Sequence, residues 1–341
     1  MPCSVRRDKM QQWHPHRGRS RRYRSRHGRL RWKRVIVAIV GLALLLFGLV
    51  KLIAYGVDLL SSRHTSEKLQ TIYYTDSTDE PIPVTEAPPQ APVPPQTPAP
   101  TMKETPAVTP NVAVAPTQSP IPRLPSVSYP DNPKMTVSSR FKALQKESKY
   151  IVGWLSIHRM LDEAVAQRDN VYFLDHDVMG NSNVNGALFL DAAIALKTRP
   201  YAYIIYGHNM KSGAMFGSLR NYENSTFYHN DPFITFDTMY ETGRYVIFAV
   251  GTVSTVEGGL NYVDFYALHS AKIPERKAAI DALIAASVHT CSIDVQTDDQ
   301  LLILVTCVEK DEDRRVVVAR RVRDGEDEGA LKRLIEKSRK Q

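Results

Sequence analysis

The sequence predicts a β-rich domain, either a barrel or a sandwich, carried behind one N-terminal membrane-spanning helix. Three observations lead there. Short β-branched and aromatic runs recur at residues 151–157, 171–174, 187–190, 201–206, 233–237, 245–253, 262–268, 301–306 and 316–319, and short strands at such spacing mark an all-β sheet that closes or stacks. Residues 81–133 hold 17 of the chain's 22 prolines, interspersed with Thr, Val, Ala and Gln; such a stretch builds no core and tends to polyproline II. Residues 35–50 form an uninterrupted apolar run that continues through Leu52, Ile53 and Ala54 past a lone Lys51, and about 20 helical residues span a bilayer core.

The basic tail comes first. Residues 1–34 carry thirteen Lys or Arg against the single acid Asp8. That is +12 of a chain total of +8, which leaves −4 for the remainder. The folded part is therefore mildly acidic, and a nucleic-acid footprint on it is not supported. Lys and Arg stay on the cytoplasmic side of a membrane, so the tail is expected inside, in contact with anionic lipid, and the C-terminal bulk outside. Arg21-Arg22 lacks the apolar followers of a twin-arginine signal.

The anchor is expected over residues 35–57. A cleaved signal peptide is the rival, but its apolar region is shorter, and only Ala54-Tyr55-Gly56 resembles a cleavage site. Lys51, Trp32 and Tyr55 suit the two interfaces. Residues 58–137 read as an extracellular stalk; at about 3.1 Å per residue, its proline-rich part reaches on the order of 150 Å when extended. A proline-motif ligand is the functional alternative, though partners for it are scarce outside a cell.

The domain is expected from residue 138 to 341, long enough to bury a sizeable core. Phe141 and Leu144 mark a short helix, and Trp154 sits on the first strand. Pro274 opens a helix over 274–286 whose stripe is Ala278, Ile280, Leu283 and Ile284. A surface helix over 328–340 offers Leu331, Leu334 and Ile335 to the barrel.

Candidate chemistry lies at three strand ends. The run 301–306 ends on Cys307, Arg314 heads the next β-rich run, and 201–206 ends in Gly207-His208. A thiol is only a few per cent thiolate near neutral pH, and neighbouring His⁺ or Arg⁺ favours the charged form. The plainer reading makes Cys307 a small buried hydrophobe. Three cysteines are too few for a disulfide framework: Cys3 falls on the cytoplasmic side, and Cys291 is expected to be a buried free thiol rather than a partner of Cys307. His176 and Asp177 offer too few ligands at recognised spacing for a metal, and no cofactor is expected.

The wording around these residues resembles the sortase transpeptidases, class B in particular. Ile303-Leu304-Val305-Thr306-Cys307 matches the family's TLxTC signature except at Ile303, read as a packing change. Arg314-Arg315-Val316-Val317-Val318-Ala319 matches its R-x-V-V-V-A run and selects Arg314. Alternation puts Arg315 on the opposite face of the strand, where it is expected to be solvated. The string from Tyr206 to Phe216, with His208, is similar to the class B histidine motif. Residues 151–155 (IVGWL) and 169–174 (DNVYFL) resemble the IVGW and DNxxYL stretches, and the 274–286 helix is a further class B mark. Arg159-Met160-Leu161-Asp162-Glu163-Ala164 departs from the family's GTxIxYP wording.

The resemblance implies a closed β-barrel of about eight strands with peripheral helices. It also implies a cysteine transpeptidase that cleaves a C-terminal sorting signal after Thr, with Cys307 as nucleophile, His208 as acid and base, and Arg314 at the oxyanion. Asn170, Leu174 and Thr306 are its expected substrate-binding residues. The implied partners are surface proteins bearing the signal and a peptidoglycan-precursor amine. Two rivals stand beside it. A papain-like cell-wall peptidase places Cys before His, whereas His208 precedes Cys307 by 99 residues. A stalked adhesin carries its own sorting signal, and none is visible after Ala330.

Overall fold

The computed structural model describes residues 27–75, 129–307 and 313–340. Most of the expected basic tail and proline-rich stalk lies outside the described residues. Helix α1 (His27–Thr75) opens on the end of the basic tail and contains the whole apolar run. Up to Tyr55 it is a unit by itself, exposed from Trp32 onward, and it is the one helix among the described residues long and apolar enough to cross a membrane.

From Gly56 the same helix belongs to the folded domain. Leu69 and Tyr73, one helical turn apart, are buried. Tyr73 stacks on Trp154 with ring centroids 4.3 Å apart and donates its hydroxyl to Asp237 at 2.5 Å. The sequence reading begins the stalk at residue 58; the helix runs on to 75 because this stripe has an aromatic surface to cover.

The barrel is closed, in the strand order β1-β2-β3-β4-β7-β8-β6-β5. Its strands are β1 (Ile151–Ile157), β2 (Leu161–Ala166), β3 (Leu188–Leu190), β4 (Ala202–Tyr206), β5 (Phe233–Thr238), β6 (Arg244–Ser254), β7 (Leu301–Cys307) and β8 (Asp313–Arg321). Around it lie α2 (Ser139–Glu147), α3 (Ser225–Asn230), α4 (Ile273–Ala285) and α5 (Glu328–Ile335). Caps set the helix starts: Ser138 accepts from Phe141 N–H, Pro274 stands in the first turn of α4, and Asp327 accepts from Gly329 and Ala330 N–H. The core gathers both faces of β4, β6, β7 and β8, with Ile204, Phe248, Ile303 and Val317 at 0 % exposure; the Ile303 departure is thus a packing residue.

Several other elements differ from the sequence reading. Residues 171–174, expected as a strand, form a 3-10 turn at Tyr172–Leu174, because the Asp169 carboxylate takes the N–H groups of Val171 and Tyr172 at 3.0 and 2.7 Å. Residues 262–268 likewise become a 3-10 helix at Phe265–His269, capped by Asp264 on Tyr266 N–H. A side-chain oxygen placed two residues ahead competes with a sheet ladder for the same donors. Strand β2 was hidden by Asp162 and Glu163, which alternation does not explain. Their partners lie on other elements: Trp154 Nε1 of β1 donates to Asp162 at 2.8 Å, and Ser66 of α1 faces both Glu163 oxygens at 2.6 and 2.9 Å. Helix α5 ends at Ile335 rather than 340, and Lys340 bridges to His289 instead.

Burial pushes the Glu163 carboxyl up from 4.5 to about 7, against the Ser66 hydrogen bond. The folded protein therefore holds a proton there that the unfolded chain releases. The contribution to stability is full below pH 4.5 and is lost as pH rises through about 7. Glu163→Gln is expected to flatten this part of the melting-temperature profile, measured by circular dichroism between about pH 5 and pH 8; an unchanged slope would assign it to other groups.

Candidate active site

Register brings the three expected catalytic positions together. β4 runs parallel to β7 with a constant offset of 99 residues, from Ala202 opposite Leu301 to Tyr206 opposite Val305. Gly207 N–H continues the ladder by donating to Val305 O at 3.2 Å. One residue further along, His208 falls level with Cys307. On the other side, β7 and β8 are antiparallel and pair Cys307 with Arg314. Neighbouring strands lie about 4.8 Å apart, so Cys307 is flanked by a histidine position and an arginine position in one row.

Glycines let the histidine in. A side chain at Gly207 would meet Leu188 Cδ2 at 2.5 Å and the Phe216 ring at 2.8 Å. Gly186 has φ +60°, and a Cβ there would press on Phe173 O and stand 3.1 Å from His208 Cδ2. Met215 closes the histidine loop at φ +50°, a conformation unusual for a side chain with a Cβ, and Phe216 N–H donates to His208 O at 2.9 Å.

The imidazole is oriented by the backbone. His208 Nε2 lies 2.5 Å from Leu174 O. A carbonyl can only accept, so Nε2 carries the hydrogen and Nδ1 is the nitrogen left to exchange a proton. Leu174 thereby touches the site through its main chain, while its side chain is 42 % exposed.

Arg314 and Arg315 part as alternation requires, though Arg315 is not solvated. It forms an ion pair with Glu223 at 2.8 Å with its side chain 16 % exposed. Arg314 is half-buried and donates Nη1 to Asp313 O at 2.9 Å. Thr306 pairs with Arg315 rather than Arg314, is 2 % exposed, and has a hydroxyl without a hydrogen-bond partner; its position belongs to the face away from Cys307. Asn170 turns its amide toward Asp191 at 3.2 Å. Cys291 is a free, half-buried thiol whose pKa is raised by burial.

Sequence reasoning missed Asp191, Tyr206 and Tyr266 as members of this region. The signal for Tyr206 was present: it precedes His208 by two residues and so shares its face. Asp191 carried only a faint one, an acid directly after the apolar Leu188-Phe189-Leu190.

A row of thiol, imidazole and guanidinium positions across adjacent strand ends is suited to acyl transfer. Comparison with known proteins agrees. The sortase-domain family profile matches residues 161–322. Sortase B of Listeria monocytogenes is 32 % identical over 189 residues, covering 53 % of this chain and 73 % of that protein. Sortase B of Staphylococcus aureus is 27 % identical, covering 54 % and 75 %. The Staphylococcus aureus sortase B–substrate complex superposes with a TM-score of 0.50 at 25 % identity, over 56 % of this chain and 88 % of that one.

Proposed function

Because this chain belongs to the class B sortases and is a sortase transpeptidase, we propose that Cys307, His208 and Arg314 are its catalytic residues and that it joins surface proteins to the cell wall. The observation that supports this most directly is the shared row of the three positions across β4, β7 and β8.

The Cys307 thiolate attacks the carbonyl carbon of a sorting-signal Thr. A C–S bond forms, and the carbonyl electrons move to oxygen as an oxyanion beside the Arg314 guanidinium. The C–N bond then breaks as His208, charged, delivers its Nδ1 proton to the leaving amine. A thioester remains. Neutral His208 next takes a proton from an incoming wall-precursor amine, whose nitrogen attacks the thioester, and the C–S bond breaks to return the thiolate. Hydrolysis by water is the slow side reaction. Asn170 and Leu174 border the peptide groove, and residues 35–57 anchor the protein with the domain outside the cell, consistent with the basic tail on the cytoplasmic side.

The test is incubation of the full chain in detergent micelles with peptides of NPxTN, LPxTG and SPxTG type, with and without an amine acceptor. Cleavage after Thr of at least one of these peptide types, with transfer to the added amine, is expected. Cleavage that ignores the amine would make the protein a peptidase, and absence of a thioester adduct at Cys307 would overturn the assignment.

A further inference from the structure

Asp191 is 0 % exposed, yet its carboxylate gathers donors from three separate segments. Oδ2 accepts from Tyr206 Oη at 3.0 Å, Tyr266 Oη at 3.1 Å and Asn170 Nδ2 at 3.2 Å. Oδ1 accepts from Ala193 N–H at 2.8 Å. A carboxylate is an acceptor only, and a phenol has a single proton to give. Both phenols therefore point their protons inward and present lone pairs outward. Asn170 is constrained in the opposite sense: its Oδ1 is taken by Ala192 N–H at 2.8 Å, and one N–H is on Asp191, so an N–H is what it has left to offer.

Tyr206 precedes His208 by two residues, and its phenol lies within reach of the Arg314 charge. Tyr206 shares the sheet face of His208, Cys307 and Arg314 by alternation, and Tyr266 is 54 % exposed beside it. An extended peptide shows alternating N–H and C=O groups along its edge. Burial and the neighbouring Asp191 push the Tyr266 phenol up to about 12 and Tyr206 well above its ordinary value, so both keep their protons at neutral pH.

Building on the catalytic reading above, we propose that Asp191 is a positioning residue that sets the hydrogen-bond polarity of the peptide groove. By drawing the protons of Tyr206 and Tyr266 inward, it makes both phenols acceptors for main-chain N–H groups of the bound signal and leaves Asn170 a donor for a main-chain carbonyl. An asparagine at this position can itself donate, which frees the phenols to turn their protons outward.

The test uses the full chain in micelles and the panel peptide that the wild type cleaves best, N-methylated one amide at a time. In the wild type, methylation at the amides facing Tyr206 and Tyr266 is expected to lower kcat/KM about ten-fold, the scale of one lost hydrogen bond. Asp191→Asn is expected to raise KM for the unmodified peptide about ten-fold, to leave the rate of Cys307 alkylation by iodoacetamide unchanged, and to shrink the N-methyl penalty. The Tyr206→Phe, Tyr266→Phe pair should abolish that penalty, and adding Asp191→Asn to it should cost nothing more. This pair carries the test if Asp191→Asn does not fold. Equal N-methyl penalties in the wild type and in Asp191→Asn or the phenylalanine pair would overturn the proposal, as would slowed alkylation in step with the KM change. Wild-type protein that forms a thioester but ignores N-methylation defeats the polarity proposal alone. Wild-type protein that forms none defeats the catalytic reading beneath it.

Discussion

Cys307→Ala is expected to abolish cleavage of the sorting-signal peptide while leaving the fold intact. Residual turnover should fall by at least ~10⁴-fold, since loss of the nucleophile removes the covalent route and leaves only binding and oxyanion stabilisation. Among the described residues the other thiol is unsuited to replace it: Cys291 hydrogen-bonds to Ile293 O at 3.3 Å, and burial raises its pKa. Stability should hardly change, because Cys307 is the terminal residue of β7 and its ladder partner Arg314 is paired through the backbone. Chromatography of peptide products together with a thermal melt checks both halves. Turnover within ten-fold of wild type would rule out thioester chemistry at this residue.

Arg314→Ala should lower kcat by about 10²- to 10³-fold, the loss seen when one oxyanion donor is removed. Arg314→Lys should recover only part of this, because an ammonium lacks the planar fork of a guanidinium. The informative control is its neighbour. Arg315→Ala breaks a partly exposed ion pair with Glu223 and should lower the melting temperature only modestly, as such pairs do, while leaving kcat within about three-fold. If the two arginines exchange these behaviours, the face assignment of β8 is wrong.

The row of His208, Cys307 and Arg314 was largely legible in the sequence. Each of His208, Cys307 and Arg314 sits at the end of an apolar run, and runs that end together place their last residues on one rim. What the runs do not reveal is which strands are neighbours. Nothing in residues 202–206 announces a parallel partner 99 residues later rather than the nearer β5, and only that pairing sets histidine beside cysteine. The misread elements have a common cause. Residues 171–174 and 262–268 have strand-like side chains, but Asp169 and Asp264 capture the N–H groups that a ladder needs. The same carboxylates were visible in the sequence as turn formers, and the apolar pattern outweighed them.

Local chemistry, by itself, determined the apolar helix, most strands, the α4 helix with its proline start and the identity of the reactive side chains, because each depends on residues within a few positions of one another. Tertiary structure alone decided that α1 continues to Thr75 against Trp154, that Asp162 and Glu163 belong to a strand, and that Asp191 gathers Asn170, Tyr206 and Tyr266. In each of these cases a polar or aromatic group is satisfied by a partner outside its own run, from eight residues away for Trp154 and Asp162 to 97 for Ser66 and Glu163. Burial makes such a partner obligatory, but it leaves no periodicity in the chain from which the partner could be found.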